Sequence, residues 1–204
     1  KNGGDIESLY PTDYTSPRFK CICPSGYAGK LCADVVTSCR DYINGSGNPG
    51  LYKVFDENMR LFDVYCDFDL NSSATWTLIQ SYELRNARLF KKKPFYVDFP
   101  VTENTPNWKN YRLSKSRIQT IQEFSKKFRI TCSNDTEGDV YRDYLEATKH
   151  EIDIMTFSGH KCTIVGRIDI RGQSCKQCTA FIAQDSHHGL HSDSFYAKLR
   201  GCEF

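Results

Sequence analysis

The residues whose types and spacing could do chemistry lie late in the chain: His160, Cys162, the Cys175-x-x-Cys178 pair, and His187, His188 and His191. A C-x2-C knuckle followed by His-x3-His has zinc-finger spacing, and tetrahedral Zn2+ takes such nitrogen and sulfur ligands. The competing reading has the same thiols oxidised, with the histidines in a polar loop around Gly189. An oxidising compartment favours the second reading, so no metal and no cofactor is expected. A redox C-x-x-C belongs at the strand-to-helix junction of a βαβ unit, and no such pattern surrounds Cys175. The sequence also has no Gly-x-Ser-x-Gly elbow, no phosphate-binding glycine loop and no His-Glu-x-x-His, so no catalytic residue is assigned and the chain is read as a non-enzyme. Asp135, Glu137, Asp139, Asp143 and Glu146 form a local acidic stretch. It could meet Ca2+ or carbonate mineral, since hard cations favour carboxylate oxygen, but a solvated loop and helix end explain it as well.

The elements that would hold these residues must fold in an oxidising setting. Ten cysteines in 204 residues are too many for a compartment that keeps thiols reduced. Three N-x-Ser/Thr sequons, at Asn44, Asn71 and Asn134, point the same way and mark candidate glycosylation sites. The net charge of +2 gives no reason to expect nucleic acid or an anionic membrane as a partner. The run Lys91-Lys92-Lys93 reads as a solvated loop. No stretch approaches the roughly 20 apolar residues of a membrane span. The chain opens on Lys1 without an apolar leader, which fits a mature form or a fragment of a secreted protein.

Along the chain, two textures follow one another. The first centres on Cys21-Ile22-Cys23-Pro24-Ser25-Gly26-Tyr27-Ala28-Gly29-Lys30-Leu31-Cys32, with the spacing C-x-C-x8-C. A segment this short cannot bury enough apolar surface to fold, so cross-links must stand in for a core. Gly26 and Gly29 give the backbone freedom for tight turns around Tyr27. The second begins near Thr37 and alternates as strands. Leu51–Phe55 follows a Gly/Asn/Pro loop. In Leu61–Asp67, Phe62, Val64 and Cys66 share one face while Asp63, Tyr65 and Asp67 share the other. Trp76–Gln80 reads as a further strand. A helix capped by Ser114 would bury Ile118 and Ile121, with Phe124 beside them. Phe128–Cys132 reads as a strand, and Trp76, Trp108 and Phe128 are expected in the core.

The first texture, over residues 1–34, resembles the C-terminal half of an EGF-like module. That resemblance implies a Cys23–Cys32 disulfide, worth about 2–3 kcal/mol on loop entropy. It departs from the family pattern where Ile6 stands at a position usually held by cysteine. Over residues 38–204, Ser38-Cys39, the Gly-Leu-Tyr-Lys-Val strand, Val64-Tyr65-Cys66-Asp67 and Trp76-Thr77-Leu78-Ile79-Gln80 resemble the start of a fibrinogen C-terminal-like domain. This implies a Cys39–Cys66 disulfide. Beyond Cys132 the family's acidic calcium loop and its Gly-Gly-Trp-Trp segment are absent, so its ligand pocket is not carried over. Tyr141–Leu145, Asp153–Phe157 and Ile170–Gly172 look instead like a divergent branch among secreted cnidarian proteins, some of them in the organic matrix of coral skeletons.

These readings combine into an α+β expectation: a small disulfide-stapled EGF-like β-hairpin module, then a truncated, divergent fibrinogen-like mixed sheet domain with at least one packed helix. Three cysteines fall in the first module and seven in the second. The odd counts fit Cys21 and one late cysteine pairing outside the chain, or Cys21 joined to the later module. The pairing of Cys132, Cys162, Cys175, Cys178 and Cys202 stays open. The implied role is a secreted structural or adhesive matrix component. Its partners would be other extracellular matrix proteins, with calcium carbonate mineral as a further candidate. The alternative is a lectin-like module that binds a glycan or an acetylated ligand.

Overall fold

The computed structural model describes residues 2–9, 18–42, 47–69, 74–132 and 142–204. Strands β1 (Asp5–Leu9) and β2 (Arg18–Ile22) form an antiparallel ribbon. A second, very short ribbon joins β3 (Tyr27–Ala28) to β4 (Asp34–Val35). Gly26 precedes it with φ of 83°. A Cβ there would stand 2.5 Å from Leu61 Cδ2 and 2.7 Å from Phe55 Cε2, so only glycine fits both the backbone and the space. The close approach seats the Tyr27 ring edge-on against Phe55, with centroids 5.3 Å apart. The β3–β4 ribbon thus leans on the sheet that follows.

That sheet comprises β5 (Gly50–Phe55), β6 (Leu61–Asp69) and β7 (Ala74–Thr77). Burial along β6 alternates residue by residue: Phe62, Val64, Cys66 and Phe68 are buried and their neighbours are not. Asp56 shapes the β5–β6 turn, its Oδ1 accepting from the amides of Asn58 and Arg60. The run Trp76–Gln80 is not one strand. It breaks at Leu78-Ile79, where the Leu78 amide still bonds Tyr65 O while Ile79 O accepts from Leu113. The chain then continues as β8 (Gln80–Tyr82), paired with β9 (Asn110–Arg112). Between them lies a single-turn helix, α1 (Ala87–Phe90).

Helix α2 (Lys115–Glu123) buries Ile118 and Ile121 against the core. Ser114 sits at its cap position without a side-chain cap bond. Two distant carboxylates satisfy the free amides instead: Glu103 Oε2 accepts from Ser114 and Asp98 Oδ1 from Lys115. Phe124 is 54% exposed and stays outside the packed face.

The second half is a five-stranded meander of β10 (Lys127–Ile130), β11 (Tyr144–Thr148), β12 (Gly159–Ile170), β13 (Gln173–Asp185) and β14 (His188–Ser192). The expected mixed sheet is corrected here, because every strand pairing among the described residues is antiparallel. For the last two hairpins the linkers impose it. Only Arg171-Gly172 joins β12 to β13, with φ of 55° and 83°, and only Ser186-His187 joins β13 to β14. Two residues close a hairpin, whereas a parallel neighbour needs a crossover of a dozen or more. Helix α3 (Ser194–Arg200) follows, capped by Asp193, whose side chain accepts from the amides of Phe195 and Tyr196. Sheet thus dominates, with few helices: a disulfide-rich α+β fold. No helix of the described residues is long and apolar enough to cross a membrane.

One core cluster runs from Val36 and Cys39 through Val64 and Tyr111 to Ile152, Val165 and Ile182. Arg112 crosses it, only 1% exposed. Its guanidinium donates to the carbonyls of Lys93 (2.6 Å), Pro94 (2.8 Å) and Val97 (3.0 Å), fixing the irregular segment after α1. Burial lowers its pKa to about 10, so it stays charged at neutral pH. Phe128 is partly buried and packs against this cluster as expected, whereas Trp76 and Trp108 are half-buried outside it. Arg129 and Lys127 cover Trp76, with Arg129 Cζ 4.5 Å from a ring centre of the indole.

Candidate functional site

The cross-links form the most distinct chemical feature. Cys23 and Cys32 are bonded, with Cα atoms 5.1 Å apart, and close the β3–β4 ribbon. Cys39, at the start of a 3-10 turn, is bonded to Cys66 on β6 with a Cα separation of 5.5 Å. Two further bonds join Cys162 to Cys202 and Cys175 to Cys178. The Cys162–Cys202 bond ties β12 to the turn after α3. The Cys175–Cys178 bond lies within β13. Residues three apart on a strand face opposite ways, and the left-handed backbone of Gln177 (φ 51°) locally changes that course. Cys21 and Cys132 carry free thiols. Partial burial of the sulfur and the nearby Asp143 carboxylate push the Cys132 thiol above its ordinary range. The sequons at Asn44, Asn71 and Asn134 lie outside the described residues.

With Cys162, Cys175 and Cys178 held in disulfides, the structure does not gather them with the histidines. His160 is stacked on Phe181, centroids 5.8 Å apart. Of the other three candidate histidines, His187 lies in the β13–β14 turn and His188 and His191 on β14. Asp185 Oδ1 accepts from the amides of His187 and His188 and faces His188 Nδ1 at 3.1 Å. The His187 amide bond is the main reason the Asp185 carboxyl is held below its usual range. His187 Nδ1 lies 3.1 Å from Ser186 Oγ, and His191 Nδ1 lies 2.9 Å from Gly189 O. Among the described residues, no three His, Cys, Asp or Glu groups form a cage for an ion.

The acidic stretch is only partly described, since Asp135, Glu137 and Asp139 lie outside. Its described members serve the fold. Asp143 Oδ1 accepts from the Arg171 amide at 2.8 Å, and Glu146 takes Lys127 Nζ at 3.0 Å and Tyr144 OH at 2.8 Å.

A polar cleft of about 430 Å³ is lined by Ile170, Arg171, Gln173, Ser192, Asp193 and Phe204. Ser192 Oγ is buried there without a hydrogen-bond partner. Sequence reasoning missed this cleft, because its walls come from a hairpin turn, the end of β14 and the last residue. The only local signals were the Arg171-Gly172 turn pair and Asp193 as a helix cap. No family model, curated protein or solved structure matches the chain.

Proposed function

We propose that the chain is a secreted, non-enzymatic component of an extracellular matrix, acting by structural and adhesive contacts. In this reading, residues 1–34 are EGF-like and residues 38–204 are a divergent fibrinogen-like domain. Its partners are other matrix proteins, with calcium carbonate mineral as a further surface. The observation that carries the proposal is the set of four disulfides, two of which span 27 and 40 residues. Bonds of that kind persist where thiols are not kept reduced, and secreted proteins use them to hold sheet-rich folds.

The cleft beside Arg171 favours a second reading, a lectin-like module for a small glycan or acetylated ligand. Concave sites with a few convergent polar groups are the usual seats of small ligands. One experiment separates the two readings. The natively oxidised protein is put on a glycan array and titrated with acetylated ligands, with and without calcium, and in parallel incubated with matrix extract and calcium carbonate. The matrix reading expects retention on extract or mineral and silence on the array. Tight binding of one small ligand, lost on Arg171→Ala, would replace it with the lectin-like reading. Inertness in every arm would sink both.

A further inference from the structure

The two imidazoles of β14 each turn one nitrogen toward an acceptor. His188 Nδ1 faces the Asp185 carboxylate at 3.1 Å, and His191 Nδ1 faces the Gly189 carbonyl at 2.9 Å. A carboxylate and a carbonyl only accept, so each Nδ1 carries the proton, and in the neutral ring it is Nε2 that offers a lone pair to a ligand. Metal-binding histidine is held in this way: the second ring nitrogen donates to a carboxylate or a backbone carbonyl, which sets the tautomer and the ring orientation.

The strand geometry brings the rings near each other. Residues three apart on a regular strand point to opposite faces. Here the register shifts between Ala183 and Asp185. The rings of His188 and His191 come to 5.6 Å between centroids. A cation about 2.1 Å from each ligating nitrogen would stand about 3.2 Å from each ring centre, a reach that spans rings up to about 6.4 Å apart. The hairpin is also held in place from outside. Gly189 donates its amide to Lys91 O at 2.7 Å, and a Cβ on Gly189 would meet Phe90 O at 3.2 Å. Close packing of glycine on the segment after α1 therefore fixes the backbone that carries both rings.

We propose that His188 and His191 form a two-imidazole clasp for a divalent transition cation of the Zn2+ or Cu2+ kind, with Asp185 as the residue that positions His188. Imidazole nitrogen suits these ions, whereas Ca2+ and Mg2+ take oxygen ligands. Because no three candidate side chains converge among the described residues, water completes the coordination. The His188 side chain is 53% exposed, so an ion reaches it directly from solvent. The clasp differs from a zinc knuckle in using none of the cysteines.

The test titrates the whole oxidised chain with Zn2+ in a non-chelating buffer, by calorimetry and by the imidazole proton resonances. One saturable site per chain is expected, with shifts at His188 and His191 and none at His160. His188→Ala and His191→Ala should each abolish saturable binding while retaining the wild-type circular dichroism. Asp185→Asn keeps an oxygen for the turn amides and should weaken binding at least about tenfold. Absence of saturable binding to the folded wild type, or undiminished binding in both histidine variants, overturns the clasp. Unchanged affinity in Asp185→Asn overturns the positioning role. Displacement of Zn2+ by equimolar Ca2+ would also count against it, since it would mark an oxygen-ligand site.

Discussion

The amide of Phe95 donates to Oε1 of Gln184 at 2.9 Å, although the two residues stand 89 positions apart. The Nε2 group of the same side chain donates to the carbonyls of Ile154 (2.9 Å) and Phe157 (2.8 Å). Gln184 is 0% exposed, and a single amide thereby ties together two segments without regular secondary structure, the stretch after α1 and the β11–β12 connection. Gln184→Ala would leave a donor and two acceptors without partners in a buried site. We expect a loss of about 3 kcal/mol in denaturant unfolding, larger than that of most surface substitutions. A loss under about 1 kcal/mol would show that water replaces the glutamine.

The four disulfides should not contribute equally. On loop entropy, the Cys39–Cys66 bond, closing 27 residues, is worth about 3.5 kcal/mol, and the Cys162–Cys202 bond, closing 40, about 4 kcal/mol. Cys175–Cys178 closes only three residues and should give about 1.5 kcal/mol. Paired Cys→Ser variants, unfolded in urea, check the order. A Cys175→Ser/Cys178→Ser variant as damaged as the long-loop pairs would mean that the short bond acts through native packing.

Periodicity made some of this architecture readable and hid the rest. In β6, every second residue is apolar because one face meets the core, so Phe62, Val64 and Cys66 announce their own burial. The spacing of Ile118 and Ile121 likewise marks the packed face of α2. Trp76–Gln80 misleads because the run reads as one strand while the strand partner changes from β6 to β9 within it. The half-buried Trp76 ring is covered by the cations of Arg129 and Lys127, a contact no single-strand pattern encodes. The partner of Cys162 depends on how β12 and α3 return on one another, and that of Cys175 on the left-handed backbone of Gln177 within β13, neither of which sequence spacing reveals. The histidines of the last turn were visible as a motif. Their tautomers depend on Asp185 and Gly189, and only the folded hairpin brings those acceptors to them.

Glu151 gives the fold a definite response to acid. Its carboxyl is held below the usual range, first by the hydroxyl of Thr163, which donates to Oε2 at 2.8 Å, and then by His150. A carboxylate with a lowered folded pKa binds protons more weakly in the folded state than in the unfolded chain. It therefore stabilises above the unfolded value of about 4.3 and loses that effect as pH falls through its folded value. Glu151→Gln should be less stable than wild type at pH 6, and the two urea midpoints should converge toward pH 2.5. A gap that stays constant with pH would assign the effect to shape and not to charge.

Two cysteines lie outside the four bonds, Cys21 on β2 and Cys132 after β10. Without reduction, iodoacetamide should label these two positions and leave the other eight intact, and peptide mapping should locate both labels. The two should differ in how readily they react. The thiolate is the reacting form, and burial together with the Asp143 carboxylate raises the Cys132 pKa, so less thiolate is present at neutral pH. Cys132 should therefore react more slowly at pH 7.5 than an unstructured cysteine peptide, and the difference should shrink as pH rises past the raised value. Asp143→Asn removes the nearby negative charge and should speed the reaction, although it also weakens the acceptor that holds the Arg171 amide. Labelling of any cysteine among the four bonded pairs would contradict the disulfide framework. A Cys132 as fast as the free peptide at pH 7.5 would show that neither burial nor Asp143 acts on the sulfur.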